Sequence, residues 1–288
     1  MGSDPERTDE HRRLAEELFP ELAVRSFEPV GGGWDCFTYQ VNGGWILQFP
    51  RLPGAVETTR KQIALLPRLA PELSAMVPVP ELVSEEPLCM GYRRIPGEPL
   101  DVDAALGGDL PEQLGCFVRD LHAVPPEAVG WRPRGPEALR DDLRAELQTF
   151  RERVTPLLSP AERGAAGAML AAFVDDDSNF QFATAVVHGD IGPQHVLITP
   201  EGDLAGVIDW GDAEVGDPAL DLWWVAGNPE FGERMLRAYG GAPDARFRGR
   251  AEFYFRLGPW HEVTYGLDTD RLDFVRSGLD AVRERLPA

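Results

Sequence analysis

Lysine is all but missing from this chain: Lys61 is the single example in 288 residues. Any phosphate contact that a lysine would ordinarily make falls to arginine, to backbone amides or to that one side chain. Positive charge is short overall, with 28 Lys+Arg against 48 Asp+Glu and a formal net charge of −20. So acidic a chain argues against a nucleic-acid partner, because a phosphate backbone needs a basic surface. A negative field draws cationic small molecules instead, and it also serves plain solubility. Cysteine is scarce too. Cys36, Cys89 and Cys116 are odd in number and scattered among apolar neighbours, which favours buried thiols over a disulfide framework or a metal site. No apolar run approaches the roughly 20 residues of a membrane span. Met1 to Arg13 is polar, with no apolar signal region. The expectation is a cytoplasmic monomer with neither nucleic-acid nor membrane partners.

What is present is an ordinary core, with 43% hydrophobic residues. Leu14, Leu18 and Leu22 give Asp9 to Leu22 helical spacing. Phe27 to Val30, Asp35 to Val41 and Gly44 to Phe49 read as short strands, separated by Gly31-Gly32-Gly33 and Asn42-Gly43-Gly44. A helix within Pro53 to Ala70 and strands at Pro78 to Val83 and Leu88 to Ile95 complete a small antiparallel sheet with a helix. Pro96-Gly97-Glu98-Pro99 stiffens and bends the chain, marking a boundary. Beyond it, helix-period apolar positions occupy Leu110 to His122, Pro136 to Leu157, Pro160 to Val174, Asp217 to Leu222, Glu230 to Tyr239 and Phe247 to Leu257. The expected division is 1–95 as a nucleotide-binding lobe, 96–100 as hinge and 101–288 as a helical lobe with catalytic and acceptor sites.

Two segments interrupt the helical pattern. Val186-Val187-His188-Gly189 reads as a strand end where glycine lets the backbone turn and Asp190 project. A carboxylate there can orient an attacking hydroxyl and accept its proton. Leu204 to Ile208 is a largely apolar strand ending in Asp209, and such a carboxylate is costly to bury unless paired or metal-bound. Magnesium, which takes hard oxygen ligands and substrate phosphates, would justify it. Each aspartate alone has a simpler role in a turn or cap. Two of them on adjacent apolar segments point to phosphate and metal.

The run from His188 through Asp190 to His195, then Ile208-Asp209-Trp210-Gly211-Asp212 and Gly216 to Leu222, resembles the antibiotic phosphotransferases. These are aminoglycoside and macrolide kinases with a protein-kinase-like fold. Gly32 to Asp35, Phe49-Pro50-Arg51, Ala64 to Leu69 and Gly91 to Gly97 extend the resemblance toward the 2''-aminoglycoside and macrolide branch. The fold it implies is α+β and bilobal, with a small antiparallel-sheet N-lobe and a larger helical C-lobe. It makes Asp190 the catalytic residue, Asp209 the principal magnesium ligand, and His195 a metal-site residue where the wider family has asparagine. Imidazole is a softer ligand than magnesium prefers, so action through water or on Asp209 is an alternative.

By the same resemblance Gly32 and Gly33 cover the nucleotide, and Tyr92, Arg93 and Ile95 enter the strand leading to the purine. Bulky Tyr92 leans the donor toward GTP over ATP. Kinase-like sites grip phosphates with a strand lysine paired to a helix glutamate. Gln48 stands at the lysine's place and Gln62 at the glutamate's, with Glu57 the acidic partner if the helix register slips. Both charges are lost together, which leaves neither ion buried alone. Arg51, Arg60 or Lys61 is left to supply a positive charge. Asp212, Glu230, Glu233, Trp260 and Glu262 are candidates for the acceptor site, since carboxylates among aromatic faces suit an amino-sugar. The implied enzyme moves the γ-phosphoryl of GTP or ATP to an antibiotic hydroxyl and so confers resistance. An aminoglycoside comes first as substrate; a macrolide or sugar-bearing nucleoside antibiotic follows. The rivals are a small-metabolite kinase for choline, homoserine or a sugar, and a ligand-binding pseudokinase.

Overall fold

A computed structural model describes residues 5–30, 35–101 and 108–287. The glycine run that contains Gly32 and Gly33 lies outside the described residues.

The chain forms two compact units. The first comprises Met1–Leu110, Ala128–Gly130 and Asp190–Ala213. It begins with α1 (Pro5–Leu18), which starts earlier than the leucine spacing suggests and stops before Pro20. Proline has no N–H for the helical ladder, so the chain continues there as a 3₁₀ turn, Pro20–Leu22. Then come β1 (Phe27–Val30), β2 (Cys36–Val41), β3 (Trp45–Pro50), α2 (Pro53–Leu69), β4 (Pro80–Glu85) and β5 (Leu88–Arg93). The five strands make one antiparallel sheet in the order β1-β2-β3-β5-β4.

Strand alternation gives this sheet two apolar faces. Tyr39, Val41, Leu47, Phe49 and Cys89 bury one face with Ala15 and Phe19 at the end of α1. Ile46, Met90 and Tyr92 bury the other with Ile63 of α2. Residues 98–99, expected as part of a hinge, form β6 (Glu98–Pro99), which pairs with β8 (Val196–Ile198). β8 in turn pairs with β9 (Leu204–Val207). The expected boundary at 96–100 therefore falls within the first unit, and the segment bearing both aspartates packs there as well.

The second unit comprises Pro111–Glu127, Trp131–Gly189 and Glu214–Ala288. Its helices are α3 (Leu110–Ala123, whose first residue belongs to the first unit), α4 (Pro136–Arg153), α5 (Pro160–Val174), the one-turn α6 (Trp224–Gly227), α7 (Pro229–Tyr239), α8 (Phe247–Asp268) and α9 (Leu272–Arg285). A two-stranded ladder joins β7 (Ala185–Val187) to β10 (Glu214–Gly216). Ser159 and Glu162 form a reciprocal capping box that fixes the start of α5. Phe150, Leu170, Phe173, Phe253, Leu257, Trp260 and Val282 are among the residues that fill the core.

α8 runs well past the expected Leu257, through Pro259. Proline cannot donate to the carbonyl four residues back, that of Phe255. Arg285 of α9 donates to that oxygen instead, Nη1 to O at 2.6 Å. α9 itself was not among the expected helices, although Leu272, Val275, Leu279 and Val282 carry a helix period.

Candidate active site

β7 is a buried strand whose chain continues through the fully buried His188 to Gly189. Gly189 has φ +86°, a left-handed conformation that glycine adopts without steric cost, and Asp190 follows it. In the second unit, the Asp221 carboxylate accepts the backbone N–H of His188 at 2.8 Å and that of Gly189 at 2.8 Å. It also takes His122 Nε2 at 3.0 Å, while His122 Nδ1 meets the Tyr239 hydroxyl at 3.0 Å. Full burial of Asp221 opposes its ionisation. The hydrogen bond from His122, electrostatic attraction from the His122 and His188 rings and the His188 amide outweigh burial and hold the carboxyl below its ordinary range. Asp221 thus fixes the peptide that delivers Asp190.

Within the first unit, His195 joins the two aspartates. Its Nδ1 lies 2.8 Å from the Asp190 carbonyl oxygen, which can only accept, so Nδ1–H is the donor. The same nitrogen is 3.4 Å from Asp190 Oδ2, and Nε2 is 3.3 Å from Asp209 Oδ2. The main chain reinforces the arrangement: Gly192 N donates to Asp190 O at 2.9 Å and Ile208 N to His195 O at 2.9 Å. Asp209 has φ +67°, a conformation that costs a non-glycine residue about 1–2 kcal/mol. Trp210, fully buried and donating from Nε1 to Val207 O at 2.9 Å, holds the loop in that form. Asp190 and Asp209 both remain well exposed, at 48% and 57%. A partner outside the chain can therefore reach either one.

The surroundings are negative. The carboxyl of Asp35 is pushed above its usual range by partial burial, then by the charges of Asp212 and Asp209. A cation fits such a place. Among the described residues no three His, Cys, Asp or Glu side chains form a ready metal cage. Magnesium needs none: one or two carboxylates, waters and substrate phosphates suffice. Asp209 supplies hard oxygens, so the donor chemistry fits that ion.

The sheet places the predicted nucleotide residues. Gln48 of β3 lies opposite Met90, and Ile46 opposite Tyr92, so all four share the face that α2 covers. Gln62 is buried in α2. Tyr92 is buried too, and burial, Asp209 and Cys36 raise its hydroxyl above the ordinary range. Ile95 is buried close to Gly206, where an added Cβ would lie 3.0 Å from it. Arg93 turns outward, its guanidinium 3.8 Å over the Trp45 ring and bonded to Glu81 at 3.3 Å.

The acceptor candidates divide. Asp212 is exposed in the first unit. Glu230 is exposed in the first turn of α7. Glu233 pairs with Arg248, and Glu262 accepts the Ser277 hydroxyl. Trp260 departs from expectation: it is fully buried in the helical core beside Phe150. Its indole fills α8's inner face and presents no surface to a ligand. Asp35 and Asp221 fall within the sequence motifs, yet neither carried an expected role. Their spacing gave no hint, since their partners lie far along the chain.

Comparison with solved structures gives the fold its class. APH(2")-IIia, solved as its GDP and kanamycin complex, superposes with a TM-score of 0.85 over 96% of this chain and 98% of that one, at 22% identity. Macrolide 2'-phosphotransferase MphH from Brachybacterium faecium gives 0.72 over 96% and 98%, at 26% identity. The expected α+β, protein-kinase-like architecture is therefore correct. Residues 26–254 match the model of the phosphotransferase enzyme family, and the chain belongs to that family. Viomycin phosphotransferase of Streptomyces vinaceus is 33% identical over 160 residues, about half of each protein: 53% of this chain and 54% of that one.

Proposed function

We propose that this protein transfers the γ-phosphoryl group of a nucleoside triphosphate to a hydroxyl of an antibiotic. One observation carries the proposal: a single loop system holds Asp190 and Asp209 on either side of His195, both carboxylates open to solvent. Asp190 orients the acceptor hydroxyl and takes its proton as the oxygen attacks phosphorus and the bond to the leaving diphosphate oxygen breaks. His195 keeps the two carboxylates in register through its bond to the Asp190 carbonyl. Asp209 would hold magnesium, aided by His195 directly or through water, and the bound ion would neutralise phosphate charge. Rate enhancement comes from positioning and charge neutralisation.

For the donor, GTP comes ahead of ATP on the bulk of Tyr92, with Gln48, the main chain from Arg93 to Ile95, Gly32 and Gly33 as its contacts. For the acceptor, an aminoglycoside comes first: Asp212, Glu230, Glu233 and Glu262 provide carboxylates for a polycation. Similarity to proteins named for viomycin and macrolides, and to one solved in complex with kanamycin, supports antibiotics over choline, homoserine or sugars. The open geometry of both aspartates favours an enzyme over a pseudokinase.

The test is a phosphorylation screen of viomycin, aminoglycosides, macrolides and nucleoside antibiotics, with GTP and ATP in parallel and products read by mass. Choline, homoserine and sugars serve as rivals. An antibiotic gaining one phosphoryl group is expected. Phosphorylation confined to a metabolite would replace the proposal. Asp190→Ala should abolish transfer while leaving nucleotide affinity largely intact, whereas Asp209→Ala should also weaken magnesium-dependent nucleotide binding. Near-wild-type turnover in either variant removes the role given to that residue.

A further inference from the structure

The kinase-like arrangement draws its phosphate-gripping cation from β3 and its acidic partner from the neighbouring helix. In this chain β3 carries Gln48 and α2 carries Gln62. The single lysine sits beside Gln62, on α2. The half-buried Lys61 crosses to a segment 152 residues away, where Nζ donates to the Ala213 carbonyl at 2.9 Å. Ala213 closes the loop Asp209-Trp210-Gly211-Asp212, in the same unit as α2. The contact is specific in place: it ties α2 to the downstream end of the loop that bears the proposed metal ligand, while Trp210 anchors its middle.

Charge favours the same assignment. Asp209 and Asp212 both lie on the loop that Lys61 reaches. A fixed ammonium near that loop opposes the mutual repulsion, a task Gln48 cannot perform with a neutral amide. We propose that Lys61 is the positioning cation of this phosphoryl-transfer site, moved from the strand to the helix and acting on the metal-bearing loop through Ala213. This rests on the proposed phosphotransferase function and adds to it the residue that replaces the missing Lys–Glu pair. It also makes the double loss of charge at Gln48 and Gln62 intelligible. With the cation on the helix, the site holds no buried charge at position 48 that a glutamate at position 62 would have to neutralise.

Because Lys61 is unique, an amine-acylating reagent reports on it alone apart from the chain's N-terminal amine. Acylation of the Lys61 peptide is followed by mass in the full-length protein, with and without magnesium and GTP. Magnesium–GTP should slow acylation about tenfold, the scale of one charge-assisted hydrogen bond, and GTP without magnesium should do much less. An unchanged rate overturns the proposal. Lys61→Met and Lys61→Arg supply the second arm. Lys61→Met should lower the unliganded melting temperature modestly, since the Ala213 carbonyl loses its Nζ donor, and should in addition weaken magnesium–GTP binding about tenfold while sparing magnesium-free binding. Lys61→Arg should recover most of the loss. Equal defects in both variants, or wild-type magnesium–GTP binding by Lys61→Met, show the residue to be merely structural or idle. If the wild-type protein itself binds no magnesium–nucleotide, the phosphotransferase proposal fails first. If it binds while the Lys61 arms fail, only the lysine's role is lost.

Discussion

Asp221 shows how a buried carboxylate can serve a site without touching substrate. It takes two backbone N–H groups and one imidazole, so three hydrogen bonds stabilise its ionised form. Its carboxyl titrates below the ordinary range, so its stabilisation is present above the unfolded value near about 3.9 and is lost as pH falls through the lower folded value. Asp221→Asn should cost about 3 kcal/mol or more at neutral pH, since it removes one partner of a buried pair. Urea unfolding across pH should show the gap to wild type narrowing below about pH 4. A gap independent of pH would mean that Asp221 acts by shape rather than charge. The aspartates given the proposed chemical roles, Asp190 and Asp209, stand out in the sequence by their apolar flanks. Asp221 and Asp35 do not, because their meaning depends on partners brought together by folding.

Among the elements, α8 and α9 are the instructive pair. Pro259 ought to end or kink α8, and the apolar period expected for this helix stopped just before it, at Leu257. α9 overturns it by donating Arg285 to the Phe255 carbonyl that Pro259 cannot satisfy. Arg256 returns the bond, Nη1 to the Arg285 carbonyl at 2.6 Å. Arg285→Met should therefore destabilise the protein by about 1–3 kcal/mol, the cost of a buried acceptor left unpaired. Pro259→Ala restores the helical donor, so the double variant should lose less than Arg285→Met alone. Calorimetry on the four proteins of this cycle decides it, and simple additivity would exclude the compensation. Trp260 belongs to the same lesson. An aromatic set among acids reads as a ligand surface, yet its position on α8 turns it into the core.

Across the whole molecule, charge should govern the acceptor. A formal charge of −20 attracts polycations over distances that salt screens, with a Debye length of about 10 Å at 0.1 M. KM for an aminoglycoside should therefore rise several-fold with ionic strength, while KM for a weakly charged macrolide should move little. A flat response for both would leave the acidic surface a solubility device. Among the described residues no helix is long and apolar enough to cross a membrane.

The aspartate motifs and the strand alternation of residues 27–93 are local properties, and together with the family resemblance they led to the fold class and to the proposed pair Asp190 and Asp209. The rest needed distance in sequence to become distance in space. Only folding put β6 beside β8, Asp221 under the peptide before Asp190, and Arg285 on the carbonyl that Pro259 leaves open. Only folding carried Lys61 to Ala213. Periodicity records which face of an element is apolar; it does not record which distant donor meets which acceptor, because that pairing depends on how the elements pack.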